Sequence, residues 1–220
     1  TFRIRRADDG AERWVTMNGW RTFKTDSQLR RIIMTVRDVT AEKTAEERVR
    51  WSASHDPLTR LANRSLFQDS LDQAIQAAIT GGGTVGLLLL DLDHFKQIND
   101  TLGHQTGDNV LREFSAALDR SVRETDLAAR YGGEEFVVVL PETTVEGAAQ
   151  LAERICAAVR REPFRHDGEE PLHVTVSVGG AAFPEHGSSP ATLMRAADKA
   201  LYVAKGGGRD RWHVPGAPQD

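Results

Sequence analysis

A single cysteine, Cys156, rules out any disulfide within the 220 residues. It falls in an apolar helical pattern with Leu151, Ile155 and Val159, which predicts inert packing and suits a reducing cytoplasm. No apolar run reaches the length needed to span a bilayer and no signal peptide is recognisable, so no membrane segment is expected within this stretch. Thr1 stands where an initiator methionine would, which predicts a fragment of a longer chain, with any membrane anchor outside it. Excess positive charge is also missing. The 28 basic and 32 acidic residues leave a formal charge of -4, which argues against a nucleic-acid-coating surface and for anion binding only at a local site. No internal repeat or low-complexity segment occurs. A length of 220 residues with 40% apolar content allows one ordinary domain with its own core plus a smaller appendage.

What is present starts with Arg130-Tyr131-Gly132-Gly133-Glu134-Glu135-Phe136, a glycine pair and two carboxylates between strand-like segments Leu127 to Tyr131 and Phe136 to Leu140. Two adjacent glycines supply the positive φ angles of a primed hairpin turn and let a ligand approach the backbone. Such a turn needs glycine; it does not need Glu-Glu. Carboxylates beside an open turn suit a hard divalent cation that arrives with phosphates, although an exposed hairpin with solvated acids has the same pattern. Upstream, Val85-Gly86-Leu87-Leu88-Leu89-Leu90 reads as a strand buried on both faces, running into Asp91-Leu92-Asp93-His94-Phe95-Lys96. If the hairpin lies alongside that strand, Asp91 and Glu134 converge on one metal. The alternative is that Asp91 and Asp93 cap the next helix, a role expected of Asp93 in particular.

Further motifs stand at fixed places around these two: His55-Asp56-Pro57-Leu58-Thr59 with Asn63-Arg64, Asn99-Asp100, Gly103-His104 with Gly107-Asp108, and Tyr202-Val203-Ala204-Lys205 with Arg209. In this order they resemble the GGDEF family of diguanylate cyclases, enzymes that condense two GTP into cyclic di-GMP. The resemblance covers Ser54 to His213. It implies a palm-like, nucleotidyl-cyclase-type α/β domain with a mixed, mainly antiparallel central sheet flanked by helices. Alternating patterns fit: helices near Ser65 to Ile79, Phe95 to Leu102, Gly107 to Val122, Val145 to Arg161 and Pro190 to Lys205, and strands near Leu172 to Ala182 and Arg211 to Val214.

The first forty residues are rich in β-formers, as in Arg13-Trp14-Val15-Thr16-Met17 and Arg31-Ile32-Ile33-Met34-Thr35-Val36. With the Asp9-Gly10 turn and the closing Asp38-Val39-Thr40, they resemble the C-terminal half of a PAS sensor; an arbitrary β meander is the alternative. Half a PAS sheet lacks the helices that enclose a ligand, so no cofactor is expected there. Residues 41–54 turn to Glu, Lys, Arg and Ala, with Thr44 and Glu47 at capping-box spacing, and read as a linker helix or a solvated spacer. The expected division is 1–40 partial PAS sensor, 41–54 linker helix, 55–215 GGDEF domain and 216–220 tail.

The resemblance implies that Asp91, Glu134 and the carbonyl of Leu92 ligate Mg2+ or Mn2+, with Glu135 near enough in sequence to assist catalysis. It also implies that Asn99 and Asp108 hold guanine. That agrees with chemistry: an ionised carboxylate accepts the N1-H and N2-H donors of guanine as a fork and repels the N1 acceptor of adenine. Asp108 as a plain helix N-terminal acid remains the alternative. Triphosphate needs donors and positive charge, which the free amides at His94 and Phe95 and the side chains of Lys96, Lys205 and Arg209 supply. By resemblance Lys205 and Arg209 reach the γ-phosphate side; otherwise Lys205 is a cation at a helix C-terminus. Arg123-Glu124-Thr125-Asp126, with Arg154 on the following helix, matches the inhibitory RxxD site for cyclic di-GMP, or else is an exposed ion pair. Each domain would hold one GTP, so a homodimer is expected, driven by an upstream sensor. A non-catalytic domain that receives GTP or cyclic di-GMP is the alternative function.

Overall fold

The computed structural model describes residues 1–23, 29–161, 163–164 and 171–217; the last three residues of the expected tail lie outside them. The chain divides into two compact units, Thr1–Ser52 and Ala53–Asp220. In the first, β1 (Phe2–Arg5), β2 (Glu12–Phe23) and β3 (Leu29–Asp38) form an antiparallel sheet in the order β1-β2-β3, followed by helix α1 (Thr40–Ser52). The β1–β2 turn closes through Gly10 at φ 69, with Asp9 accepting from the Ala11 amide at 2.9 Å. Helix α1 begins at Thr40, so Thr44 lies one turn inside it and does not cap it. Asp38 takes that part instead, accepting from the Thr40 amide at 2.9 Å.

The second unit is built on a sheet of order β5-β6-β4-β7-β8, antiparallel except where β8 (Trp212–His213) runs parallel to β7 (Val176–Phe183). Its centre is β4 (Val85–Leu92), every residue of which is buried. On an antiparallel sheet that is possible only if both faces are covered. Leu88 and Leu90 pack with Val110, Phe114 and Leu118 of α4 (His104–Ser121) and Leu151 and Ile155 of α5 (Val145–Arg161). Leu87 and Leu89 point the other way, into Phe67, Leu71 and Ile75 of α2 (Arg64–Gly81) and Leu193, Ala197 and Leu201 of α6 (Pro190–Gly206). The period of two along β4 thus feeds two hydrophobic layers, each fully buried leucine contributing about 1.5–3 kcal/mol.

Helix starts follow from local chemistry. Asn63 accepts from the Leu66 amide at 3.0 Å to begin α2, and Ser189 with Thr192 forms a capping box ahead of Pro190. Helix α4 begins at His104, three residues before the Gly107 start read from the sequence, because Gly103 at φ 85 turns the chain directly out of α3 (Phe95–Leu102). Strand β7 begins at Val176; Leu172, expected as its start, makes only an isolated bridge with Phe164. Cys156 is buried as expected, its thiol pushed up to about 12, first by burial, which leaves it inert. Among the described residues no helix is long and apolar enough to cross a membrane.

Close packing of α6 on β7 requires Gly179, where a Cβ would fall 2.0 Å from the Leu201 amide nitrogen and 2.4 Å from the Ala197 carbonyl oxygen. Backbone atoms cannot step aside as a side chain can. Gly179→Ala is therefore expected to cost about 3 kcal/mol or more in urea denaturation, and a loss below about 1 kcal/mol would contradict this packing.

Candidate functional site

The C-terminal end of β4 lies beside the hairpin of β5 (Leu127–Gly132) and β6 (Glu135–Pro141), with Asp91 in register with Glu135 and the Leu92 amide donating to the Glu134 carbonyl at 3.3 Å. Gly132 pairs with Glu135, so Gly133 and Glu134 form the two-residue turn. Only Gly133 has positive φ, at 52; the expectation that both glycines would take it is corrected. A left-handed residue at the first turn position alone matches a type II′ turn, which leaves the second position to Glu134. A register shift between Arg130 and Gly132 accompanies it, and Tyr131 there lies under the Arg64 guanidinium at 4.6 Å and edge-on to Phe67.

Arg130 fixes the turn. Its Nε and Nη2 donate to the Gly133 carbonyl at 3.0 and 2.8 Å, while Nη1 donates to Asp56 Oδ1 and Oδ2 at 3.1 and 3.3 Å. Asp56 also accepts from the Thr59 amide and hydroxyl at 2.8 and 2.7 Å. Burial alone would raise the Asp56 carboxyl, but the hydrogen bonds from Thr59 and Arg130 outweigh it and hold the group below its ordinary 3.8. The loop of residues 55–59 therefore braces the glycine turn from 74 residues away.

Charge collects where strand and turn meet. Asp91 is 9% exposed and its Oδ2 lies 2.7 Å from Lys205 Nζ. The Glu134 carboxyl is raised, first by burial and then by the Asp91 charge, with Lys205 opposing. Lys205 also stands in the last turn of α6, as the alternative reading had it. Among the described residues no cluster of three or more acidic, His or Cys side chains gathers that could hold a metal alone. Carboxylates such as Asp91 and Glu134 are hard-oxygen donors of the kind Mg2+ takes, an ion that fills its shell with water and phosphate. Glu135 is exposed, opposite Asp91 across the strands.

Asn99 lies near the end of α3 and Asp108 in the first turns of α4, on either side of the Gly103 elbow. Gly107 is buried there, and a Cβ on it would lie 2.0 Å from Asn99 Oδ1, so the absence of a side chain makes room for the Asn99 amide against the residue that precedes Asp108. His94 precedes α3 at φ 58 and gives no side-chain cap, leaving the first amides of Phe95 and Lys96 without that partner. Phe95 is buried, Lys96 exposed. Asp93, expected to cap α3, does not. It is 4% exposed and accepts from Thr175 Oγ1 and Ser177 Oγ at 2.7 Å each and from the Asp210 amide at 2.9 Å. That last bond ties the residue just after β4 to the exposed loop carrying Arg209. Farther off, Arg123, Asp126 and Arg154 line one cavity of about 60 Å³ with Thr143 and Gln150. Asp126 accepts from the Arg123 amide at 2.8 Å, closing a turn on the Arg123 backbone, and Arg154 donates to the Ser121 carbonyl at 2.7 Å.

Residues 53–211 match the family model for the diguanylate cyclase GGDEF domain. The chain belongs to the GGDEF family. Among relatives of the GGDEF domain, the response regulator PleD of Caulobacter vibrioides is 47% identical over 156 residues, covering 70% of this chain and 34% of PleD. Diguanylate cyclase DgcP of Pseudomonas aeruginosa is 46% identical over 165 residues, 75% of this chain and 24% of DgcP. The chain thus spans about a third or less of these curated relatives. The coiled coil and GGDEF domain of DgcB from Caulobacter crescentus, solved in complex with c-di-GMP, is 39% identical with a TM-score of 0.70, covering 79% of this chain and 95% of that one.

The Arg130 brace and the Asp93 hub were not singled out by sequence reasoning, although Asp56, Asp93 and Arg130 all stood inside motifs that were. Removing the brace has a signed pH dependence. Asp56→Asn should cost about 2 kcal/mol at pH 7, between an exposed and a buried pair. Because the folded carboxyl lies below 3.8, its contribution is full above that value and is lost as pH falls through the folded one. The gap between wild type and Asp56→Asn should therefore shrink at pH 3 in urea melts. An equal gap at both pH values would remove Asp56 ionisation from the account.

Proposed function

We propose that residues 55–215 form a diguanylate cyclase that joins two GTP into cyclic di-GMP and two pyrophosphates within a homodimer. The observation that carries this reading is the meeting of Asp91 and Glu134 at adjoining strand ends, where burial and then the Asp91 charge raise the Glu134 carboxyl and Lys205 relieves only part of it. Such a place favours added positive charge. Asp91, Glu134 and the Leu92 carbonyl would hold Mg2+ or Mn2+, which when bound screens phosphate charge and acidifies a hydroxyl.

The residues divide the substrate between them. Asp108 accepts the guanine N1-H and N2-H pair, and Asn99, seated over Gly107, adds a donor and an acceptor. The amides of His94 and Phe95, with Lys96 and Arg209, bind the triphosphate, and Lys205 shares its charge between Asp91 and the phosphates. In each half-reaction the 3′-hydroxyl of one GTP attacks the α-phosphorus of the other. An O3′–P bond forms, the bond to pyrophosphate breaks and the hydroxyl proton leaves. Glu135, exposed next to the turn, assists. Since each domain holds one nucleotide, two copies must face each other across a two-fold axis. Product returning to the Arg123, Asp126 and Arg154 cavity inhibits the enzyme.

Residues 1–40 are read as the end of a PAS sensor and 41–54 as the linker carrying its state; the strands of 1–38 and helix α1 from Thr40 fit that reading, and the unit boundary after Ser52 with the family match from residue 53 supports where the GGDEF domain begins. The reading puts the domain in the cytoplasm, where GTP is.

With GTP and Mg2+ the purified protein should release pyrophosphate and yield cyclic di-GMP, identified by mass. Glu134→Gln and Asp91→Asn should each lower turnover at least ~100-fold. Glu134→Gln should melt no lower than wild type without metal, since the charge it removes is unfavourable. Wild-type-like turnover in either variant would sink the metal assignment. Arg123→Ala and Asp126→Ala should keep the initial rate and lose product inhibition; an unchanged inhibition curve would refute the feedback site.

A further inference from the structure

Two neighbouring residues, Arg209 and Asp210, hold left-handed backbone conformations at φ 60 and 48, which L-residues avoid. Such conformations persist where the surroundings over-determine them. Arg160, in the last turn of α5, donates from Nε to Asp210 Oδ1 and Oδ2 at 3.2 and 2.9 Å and from Nη2 to Oδ1 and the Asp210 carbonyl at 3.0 and 3.1 Å. The Asp210 amide is bound by buried Asp93, itself held by Thr175 and Ser177. The Arg209 amide donates to the Ala204 carbonyl at 3.2 Å. Every polar backbone group of Asp210 is thereby engaged.

As a source of stability the Arg160–Asp210 pair counts for little, because its side chains are 50% and 36% exposed. Its geometry does something else. One guanidinium grips the carboxylate and the backbone carbonyl of the same residue, so it fixes a backbone conformation as well as a charge. The conformation fixed belongs to the loop that carries Arg209, and its other anchor, Asp93, is two residues from Asp91.

We propose that Arg160, Asp210 and Asp93 form a clamp that presets the Arg209 loop for the terminal phosphates, making Arg160 a positioning residue for the triphosphate and not for the base. This rests on the cyclase reading above. Without the clamp the loop must be ordered at the moment of binding, which weakens affinity for whatever Arg209 contacts.

Calorimetric titration with α,β-methylene GTP, which cannot be cleaved between those phosphates, and with GMP, both with Mg2+, separates the two ends of the nucleotide. Arg160→Ala should weaken the triphosphate analogue roughly 10-fold and leave GMP unchanged. The same substitution in an Arg209→Ala background should add nothing. Asp210→Asn, which keeps the amide bond to Asp93, should show a smaller loss in the same direction and decides the matter if Arg160→Ala melts at a lower temperature. Equal losses for both nucleotides, or a loss that persists without Arg209, overturns the clamp while the cyclase reading stands. Failure of the wild type to bind either nucleotide overturns both.

Discussion

Two carboxylates brought together at the end of a strand buried on both faces form the constraint around which the second unit is arranged. Asp91 is placed by β4, Glu134 by the turn between β5 and β6, and their charges repel in a partly desolvated space. A core composed only for stability would not hold them so. Lys205 comes across from α6 to within 2.7 Å of Asp91, and Arg130 holds the turn carbonyl that keeps Glu134 in place. The strain of like charge is therefore built in and left partly unrelieved, a condition that favours added positive charge at this place.

The same strand end organises the rest of the proposed nucleotide site. Helix α3 leaves it with amides that lack a side-chain cap, and past the glycine elbow Gly107 leaves room for the Asn99 amide. The C-terminal loop is tied back to it by Asp93. In the proposed site the base and phosphate ends would both be held by segments linked to the end of β4, so a buried central strand would frame a flexible substrate. The brace from Asp56 to Arg130 adds a second frame, through which the residues just after the unit boundary bear on the turn.

Much of this was legible from the chain. Val85 to Leu90 announced a doubly buried strand because nothing but two covered faces tolerates an unbroken leucine run, and α5 ran from Val145 to Arg161 as its 3.6-residue pattern required. The hairpin was expected beside the end of β4, and it lies there, with Asp91 in register with Glu135 and close enough for its charge to act on Glu134. Errors fell where a residue had several local options. Asp93 looked like a helix cap, but its partners Thr175, Ser177 and Asp210 lie 82, 84 and 117 residues away. Thr44 and Glu47 had capping-box spacing, but Asp38 ended the strand early enough to start the helix first. Gly132 needed no positive φ once the shifted register let it pair with Glu135.

By itself the amino-acid order determined the elements, the acidic strand end, the glycine turn and the family, since each depends on periodicity or on contiguous residue types. Which partner each charged group takes was decided only by the fold: Lys205 on Asp91, Arg130 on Asp56, Arg160 on Asp210. Ion pairs and hydrogen bonds act over a few ångströms in space and are blind to distance along the chain, so only the packed sheet and helices could bring those groups within reach.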